Sequence, residues 1–479
     1  MANRAIALRD FQATAIDEVR AAIRAGSRSI LLVAPTGSGK TVIASHMIHG
    51  AQQRGKRILF LAHRKELIDQ CSNKLDDLGI DHGVIMSDHW RRKPHLRVHV
   101  ASVPTLVNRE LAEPPDLIFI DEAHRSRAES YVTILERFPN AVCVGLTATP
   151  IRADGRGLGK LFKSMVQCPD VQALTDMRFL VPTRVYAPSR PVDVSGIKKS
   201  VGDYNIKQLG ERMNRRVLVG DIVDHWRRLG ENRLTVCFAV LVAHSKAIVE
   251  QFQDAGVAAA HLDGTTPKHE REAVLADLAA GRIRVLVNVG VLTEGWDCPA
   301  VSCIILARPT CSMGLYLQMA GRTLRPYPGK ADALILDHAG CTLEHGFVDQ
   351  PREWWLSEDR KMDASKIDTS DTIRVCPECG YVMPKTQMVC RCGYEFSGAS
   401  ELPTHVAGDL QDITDAKQQR YSKMNDQQRR AMWTLARNQA HDRGWKPTYA
   451  SVKYKAMFGA WPPRAWEREW EAEQKEVFV

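Results

Sequence analysis

The stretch Ser29-Ile-Leu-Leu-Val-Ala-Pro-Thr-Gly-Ser-Gly-Lys-Thr41 decides the reading of this chain. Its unbroken apolar run, Ile30 to Val33, predicts a strand covered on both faces. The turn Ala34-Pro35-Thr36-Gly37-Ser38-Gly39-Lys40-Thr41 then links that strand to a predicted helix, the context a phosphate-binding loop needs. Glycines let backbone N–H groups curl round phosphate oxygens, and the helix N-terminus adds a favourable dipole. Lys40 is placed to reach the β- and γ-phosphates of ATP, and the Thr41 hydroxyl to ligate Mg²⁺. Ala34 stands where the generic pattern has glycine.

Further apolar runs follow at residues 57–62, 98–102, 117–120 and 142–146, separated by helical patterns. Continuous rather than alternating, they predict a parallel sheet buried on both faces. Upstream, Ile16, Val19 and Ile23 repeat at helical spacing and the pattern stops near Gly26. The run ending at Ile120 leads into Asp121-Glu122-Ala-His124. A carboxylate at the C-terminal end of a strand beside the phosphate-loop strand is positioned to hold Mg²⁺, which assigns that role to Asp121. Glu122 is then the general base that polarises the attacking water. A second strand–helix series occupies residues 235–239, 258–262, 285–289, 303–307 and 333–337, with the junction expected between 181 and 202. Within it, Arg322 and Arg325, three apart, are expected on one helix face, where they can stabilise phosphate charge in a transition state.

Composition bounds the rest. The 479 residues are 44% hydrophobic and 25% charged, a globular balance with room for several domains. No run approaches a membrane span, and Met1 opens no signal-peptide pattern, so a cytoplasmic location is expected. The net charge of +9 is concentrated: between Lys417 and Arg464, eleven Lys or Arg face only Asp426 and Asp442. That segment also holds Tyr421, Trp433, Trp445, Tyr449, Tyr454, Phe458 and Trp461. Cations with interleaved aromatics suit nucleic acid, whereas the same aromatics can also build a small helical core, and both readings stand. The acidic stretch from Glu467 to Glu476 is expected to be a solvated helix end. Of twelve cysteines, Cys376, Cys379, Cys390 and Cys392 form C-x₂-C and C-x-C pairs. Four thiolates at that spacing predict a structural Zn²⁺, with an iron–sulfur cluster as the alternative. The second pair is one residue shorter than the usual knuckle.

Taken together, the chain resembles the superfamily 2 helicases, in particular the DEAH-box group. Leu8-Arg9-Asp-Phe-Gln12 looks like the adenine-reading motif, which implies base contacts from Gln12 and Arg9. Ala62-His-Arg64-Lys-Glu-Leu67 and Ala101-Ser102-Val-Pro-Thr105-Leu106 look like strand-facing motifs, and Leu146-Thr147-Ala-Thr149-Pro150 like the motif coupling hydrolysis to movement. Val291-Leu-Thr293-Glu-Gly295-Trp-Asp297 and Gln318-Met-Ala-Gly-Arg322-Thr-Leu-Arg325 match the last two motifs. The resemblance implies two tandem RecA-like α/β domains, with nucleotide contacts from Gly295 and Asp297 and nucleic-acid contacts from Arg64, Ser102, Thr105 and Thr293. It further implies coupling through His124, Thr147, Thr149 and Gln318, and arginine-finger roles for Arg322 and Arg325. Residues 147–158, Gly202-Asp-Tyr204, His345-Gly-Phe347, Pro351-Arg-Glu-Trp-Trp355 and the four-cysteine stretch resemble the RadD group of bacterial and phage DNA-repair proteins. So do Gly444-Trp-Lys-Pro447, Lys453-Tyr-Lys455 and Gly459-Ala-Trp-Pro-Pro463.

The expected architecture is therefore a first RecA-like domain over 1–182 and a second over 183–356. A linker with a zinc-ribbon module over 357–400 follows, then a small, mainly helical basic domain over 401–479. The expected activity is ATP- and Mg²⁺-dependent movement on DNA, single-stranded or forked, in company with repair proteins and away from membranes. An RNA-dependent ATPase of the same superfamily and a DNA-binding recruiter with an ATPase switch remain the alternatives. The motor subunit of a restriction complex is a third, weakened because no nuclease-like or methylation-sensing stretch is recognised.

Overall fold

The computed structural model describes residues 7–87, 89–125, 129–152, 155–188, 194, 196–200, 203–213, 216–293, 295–359, 373–375, 382–384, 389, 393–394, 410–412, 424–442, 446, 448–458 and 460–476. In the first domain the elements run α1 (Asp10–Arg24), β1 (Ser29–Val33), α2 (Lys40–Gln52), β2 (Ile58–Ala62), α3 (Lys65–Asp77) and β3 (Gly83–Ile85). They continue as β4 (Val98–Ser102), α4 (Val103–Leu106), β5 (Leu117–Ile120), α5 (Glu129–Glu136), β6 (Val142–Thr147), β7 (Ser164–Gln167) and α6 (Val171–Asp176). The seven strands form one sheet in the order β3-β4-β2-β5-β6-β1-β7, and every pairing is parallel. Parallel pairing follows from the alternation of strand and helix, because each crossover helix must cover a sheet face. All five residues of β2 are buried, as a strand with apolar layers on both faces requires.

The second domain carries β8 (Thr183–Pro188), β9 (Lys199–Ser200), β10 (Asp203–Tyr204), α7 (Ile206–Met213), α8 (Arg216–Leu229), β11 (Thr235–Phe238) and α9 (Val242–Asp254). Then come β12 (Ala259–Leu262), α10 (Lys268–Ala279), β13 (Val285–Asn288), β14 (Cys303–Leu306), α11 (Met313–Gly321), β15 (Ala333–Asp337) and α12 (Cys341–His345). Its sheet is ordered β12-β13-β11-β14-β15-β8, closed at one edge by an antiparallel strand, β18 (Leu410–Asp412). The short β16 (Ile373–Val375) and β17 (Val382–Pro384) pair with each other. All four cysteines of the expected zinc module lie outside the described residues, as does that module's fold.

Between α12 and residue 357 the chain crosses back from the second domain to the first. At its start Arg352 donates hydrogen bonds to the carbonyls of His345 (3.1 Å), Phe347 (2.8 Å) and Gln350 (2.9 Å), which fixes it to the second domain. At its end Trp354 and Leu356 pack against the first-domain cluster that contains Leu158 and Phe162. The Gly159 amide donates to Leu356 O at 2.7 Å. A Cβ on Gly157 would fall 2.3 Å from the same carbonyl oxygen, so the strap needs glycine there.

Three helices end the described chain: α13 (Asp426–Asp442), α14 (Thr448–Phe458) and α15 (Arg464–Glu476). Trp433, Ala436, Ala450, Tyr454 and Trp470 form their core, with Phe458 and Trp466 packed on it. Trp433 and Tyr454 therefore follow the core reading of the basic segment, whereas Trp461 is exposed with Lys455 over its ring. Tyr421 and Trp445 lie outside the described residues. The acidic end differs from the expected solvated helix: α15 docks through buried Trp470 and through Glu467, which accepts from Arg437 at 2.7 Å. None of the described helices is long and apolar enough to cross a membrane.

Candidate nucleotide cleft and nucleic-acid face

The phosphate loop is anchored at both ends. Its first amide, Ala34 N–H, donates to Thr147 O at 2.8 Å, and Ser38 turns its hydroxyl inward onto Pro35 O at 2.7 Å. Gly37 and Gly39 adopt φ of +89° and +91°, a region that side chains rarely tolerate. Lys40 opens α2, with Thr41 beside it in the first turn. Burial pulls the Lys40 pKa down while the Glu122 and Asp121 carboxylates pull it up, and Arg322 and Arg325 pull it down again. Four charged groups expected to share a phosphate site with Lys40 thus act on it.

The acidic pair reaches this point by a route unlike the one expected. β6 lies between β5 and β1, so the strand carrying Asp121 is not a neighbour of the phosphate-loop strand. Chain order fixes the apolar runs but not their order in a crossover sheet, which is why the expectation failed. The Asp121 carboxylate accepts the Glu122 amide at 3.0 Å, and Glu122 takes a left-handed φ of 48°. Such a conformation in a non-glycine residue is costly and is kept where the surroundings impose it. It leaves the Glu122 carboxylate 3.3 Å from the His124 ring and 3.4 Å from the Gln318 amide of the opposite domain. His124 in turn lies 3.4 Å from the Thr147 hydroxyl, which donates to Thr149 O at 2.8 Å. Thr149 faces Gly314 of α11, since a Cβ there would sit 3.2 Å from its hydroxyl.

The two arginines are not on a helix face. α11 ends at Gly321, Arg322 caps it, and Arg325 lies beyond, in a turn preceding Pro326. Proline disfavours helical backbone in the residue before it, which keeps Arg325 out of any continued helix. Both side chains nevertheless point into the cleft. Arg322 donates to Trp296 O at 2.5 Å and to Thr293 O, while Arg325 ion-pairs with Asp297. Burial pushes the Arg325 pKa down to about 10, and its side chain lies 3.3 Å from where Gly37 would carry a Cβ. Gly321 lets Thr36 approach closely: a Cβ at Gly321 would meet Thr36 Cβ at 2.5 Å.

At the expected base site, Gln12 is buried and spends its amide on Ser38 O at 2.8 Å, while its carbonyl accepts from Arg9 N–H at 3.0 Å. Gln12 therefore links α1 to the phosphate loop. The Arg9 guanidinium lies 4.6 Å over the Phe179 ring. Phe179 was not among the residues singled out from sequence, and nothing in its local context marks it.

The expected nucleic-acid residues collect at the C-terminal ends of the strands. Arg64 precedes α3 and donates to Gly290 O of the other domain at 3.4 Å. Ser102 precedes α4, Thr105 lies half-buried on it, and Thr293 is buried with its carbonyl on Arg322. Gly295, expected near nucleotide, instead lies against α3, where a Cβ would touch Glu66 Cβ at 3.0 Å. Beside it Arg271 donates to Glu66 at 2.6 Å, a further cross-domain tie, which the motifs did not flag. Among the described residues no cluster of potential ligands suits a further metal.

Known proteins match this arrangement. Residues 5–152 match the family described as type III restriction enzyme, res subunit, and residues 220–327 the helicase conserved C-terminal domain. The chain is 32% identical over 377 residues to a 51.5 kDa protein of Lactococcus phage (isolate 7-9), covering 77% of this chain and 78% of that protein. It is 30% identical over 404 residues to the "Putative ATP-dependent helicase IRC3" of Saccharomyces cerevisiae, covering 80% of this chain and 58% of that protein. Among solved structures, a fragment of an HsdR subunit of a type I restriction enzyme from Vibrio vulnificus YJ016 superposes with a TM-score of 0.58 at 23% identity. That match covers 72% of this chain and 67% of the fragment. The type ISP restriction-modification enzyme LlaBIII bound to DNA gives 0.52 at 18% identity, over 72% and 29%. Both share the fold of two parallel-sheet α/β domains. With both helicase domains matched in sequence and their sheets facing across one cleft, the chain belongs to the superfamily 2 helicases, which hydrolyse ATP.

Proposed function

We propose that this chain is an ATP-driven motor on DNA, of the DEAH-box type and nearest in character to the RadD group. The observation that carries it is the convergence of Lys40, Asp121, Glu122, Gln318, Arg322 and Arg325 on one interdomain cleft. In this reading Pro35 to Lys40 cradle the phosphates and Lys40 neutralises the β- and γ-oxygens. Thr41 and Asp121, a hydroxyl and a buried carboxylate, are the hard oxygen donors that Mg²⁺ prefers. Mg²⁺ supplies charge neutralisation on the phosphates. Glu122, aimed into the cleft by its left-handed backbone, draws a proton from the attacking water. Arg322 and Arg325 stabilise the spreading negative charge, a contribution typically worth about 10³–10⁵ in rate. Gln318 and His124 sense the state of the Glu122 carboxylate from the two sides of the cleft.

Loss of the γ-phosphate removes what the two arginines hold, and the domains part. Arg64, Ser102, Thr105 and Thr293 then position a strand by its backbone without reading its sequence. DNA is favoured over RNA by the likeness to restriction-enzyme motors, one of them solved bound to DNA. Single-stranded or forked DNA and a role in cytoplasmic DNA repair follow from the sequence resemblance alone. A structural Zn²⁺ on Cys376, Cys379, Cys390 and Cys392 follows from the spacing of the four thiolates, a donor set that suits it. Native mass spectrometry of Cys376→Ser against wild type reads that ion directly.

The test is steady-state ATP hydrolysis without nucleic acid and with single-stranded DNA, duplex DNA or matched RNA, alongside Glu122→Gln. Stimulation by single-stranded DNA that the variant loses is expected. Equal or greater stimulation by RNA overturns the DNA assignment, and no stimulation by any strand favours a DNA-binding recruiter.

A further inference from the structure

Trp90 is the most exposed large apolar side chain described, at 79%. Water-exposed indoles are unusual, and this one stands between two residues that are tied to α3. On one side His89 is buried against α3, its ring 3.8 Å from the Asp69 carboxylate and 5.8 Å from the Trp90 ring. On the other, Arg91 reaches α3 through Asp76 at 2.8 Å and lies 4.7 Å over the Trp90 ring. The Arg91 carbonyl accepts from Val84 N–H at 2.8 Å, which binds the returning chain to the edge of β3.

The place of Trp90 gives it meaning. The sheet runs β3-β4-β2-β5, and all four strands point the same way. Arg64 follows the end of β2, Ser102 and Thr105 the end of β4, and Trp90 the end of β3. Trp90 therefore extends the same row outward by one strand. From there Arg92, Lys93, His95 and Arg97 follow the sheet edge and line a cavity of about 470 Å³ together with Arg57, Arg109 and the carboxylates of Glu110 and Glu113, of which Glu113 pairs with Arg57. Residues 89–99 contain four Lys or Arg, three His and no acidic residue. A pinned, exposed aromatic followed by cations is the chemistry of single-strand binding, in which bases stack on rings and phosphates meet charge.

We propose that Trp90 is a stacking platform for one base of single-stranded DNA where the strand leaves the cleft face, and that Arg92 and Lys93 take the phosphates beyond it. The proposal rests on the motor reading above. It adds a base contact to a track whose other residues contact only backbone.

The experiment measures binding of the full chain to fluorescein-labelled oligothymidylate and to an abasic strand of equal length. Trp90→Ala is expected to weaken oligothymidylate binding about tenfold, within the usual worth of one stacked base. It should leave the abasic strand unaffected, and Trp90→Tyr should restore most of the loss. Arg92→Ala combined with Lys93→Ala should weaken both strands and flatten the dependence on salt. Unchanged oligothymidylate affinity in Trp90→Ala, or an equal loss on both strands, overturns the stacking platform while leaving the motor reading intact. A wild-type chain that binds neither strand overturns both. Trp90-dependent binding of oligouridylate but not oligothymidylate overturns the assignment to DNA.

Discussion

Replacing Gly321 by Ala tests whether the two domains must close as tightly as the structure has them. The new Cβ would stand 2.5 Å from Thr36 Cβ, 2.9 Å from its Cγ2 and 3.1 Å from its hydroxyl. Carbon atoms settle at about 3.5–4.0 Å, so α11 and the phosphate loop must separate by about 1 Å. Two independent magnitudes agree on the consequence. Forcing a methyl into a packed contact costs about 1–3 kcal/mol, which lowers the closed population by about 5- to 150-fold. A 1 Å displacement of catalytic groups costs about 10² in rate. The second domain by itself gains, because alanine in a helical position is favoured over glycine by up to about 1 kcal/mol. The variant is thus expected to lose one to two orders of magnitude in kcat for ATP while its thermal midpoint holds or rises. Steady-state hydrolysis with saturating single-stranded DNA and a thermal scan read the two quantities. Thr36→Gly, which removes the opposing Cβ, should recover part of the lost turnover when combined with Gly321→Ala. A kcat within twofold of wild type, or a lowered midpoint, would refute the argument.

Glu122→Gln should cut turnover by about 10²–10⁴ while nucleotide binding persists, because Lys40 and the loop amides are untouched; loss of binding as well would remove Glu122 from the general-base role. Gly157→Ala should dislodge the strap, since its Cβ would meet Leu356 O at 2.3 Å; limited proteolysis ought then to cut residues 346–359 faster, and an unchanged pattern would mean the strap is not a tie. Asp263 is held well below the usual carboxylate range, first by the Thr265 hydroxyl and then by His261, so its contribution is present above the ordinary value of about 4 and is lost as pH falls below it. Asp263→Asn should therefore destabilise the chain near neutrality by a margin that shrinks in acid, and a margin independent of pH in denaturant titrations would contradict this.

What the sequence disclosed follows from which forces are local. Most interior strands were legible because burial on both faces writes an uninterrupted apolar run, as at β1, β2 and β14, whereas the interior β8, whose burial alternates, was not. Three edge strands escaped notice, since β7 buries only Val166, β3 is three residues long and β18 is Leu-Gln-Asp, whereas the fourth, β12, was named. The phosphate loop was legible to the residue because its glycines are needed for backbone geometry that nothing else supplies. The position of β5 was not, because strand order depends on crossovers that leave no mark in composition. The arginine pair was expected on a helix face and lies beyond the helix end instead, since three-residue spacing suits a helix and also suits a bend that precedes Pro326. Among the tail aromatics, Trp433 with Ala436 and Ala440 shares one face of α13, which is what buries it, whereas Trp461 falls between helices.

The charge arrangement in the cleft explains why these elements come together at all. Burial depresses the Lys40 pKa, Arg322 and Arg325 lie close enough to add to that, and burial lowers Arg325 as well. Three cations brought into one partly dry space repel each other, and Asp121 and Glu122 near Lys40 and Asp297 on Arg325 offset them. Asp297 holds Arg325, and the carbonyls of Thr293 and Trp296 hold Arg322, so both arginines have partners within their own domain. Those partners belong to the same segment that carries Gly295 onto α3 and lies next to Gly290, which accepts from Arg64. A phosphate that draws Arg322 or Arg325 forward must take it from a carbonyl or carboxylate of this segment. On the proposed motor reading the segment is released or held according to what occupies the phosphate site, and Gly290 within it touches Arg64 of the expected nucleic-acid track. Coupling between hydrolysis and strand grip needs no longer path than the few residues from Gly290 to Asp297. Asp297→Asn should accordingly loosen the dependence of DNA affinity on nucleotide state. Affinities for oligothymidylate measured with ADP and with a non-hydrolysable ATP analogue would differ less in the variant than in wild type, and an undiminished difference would rule this path out.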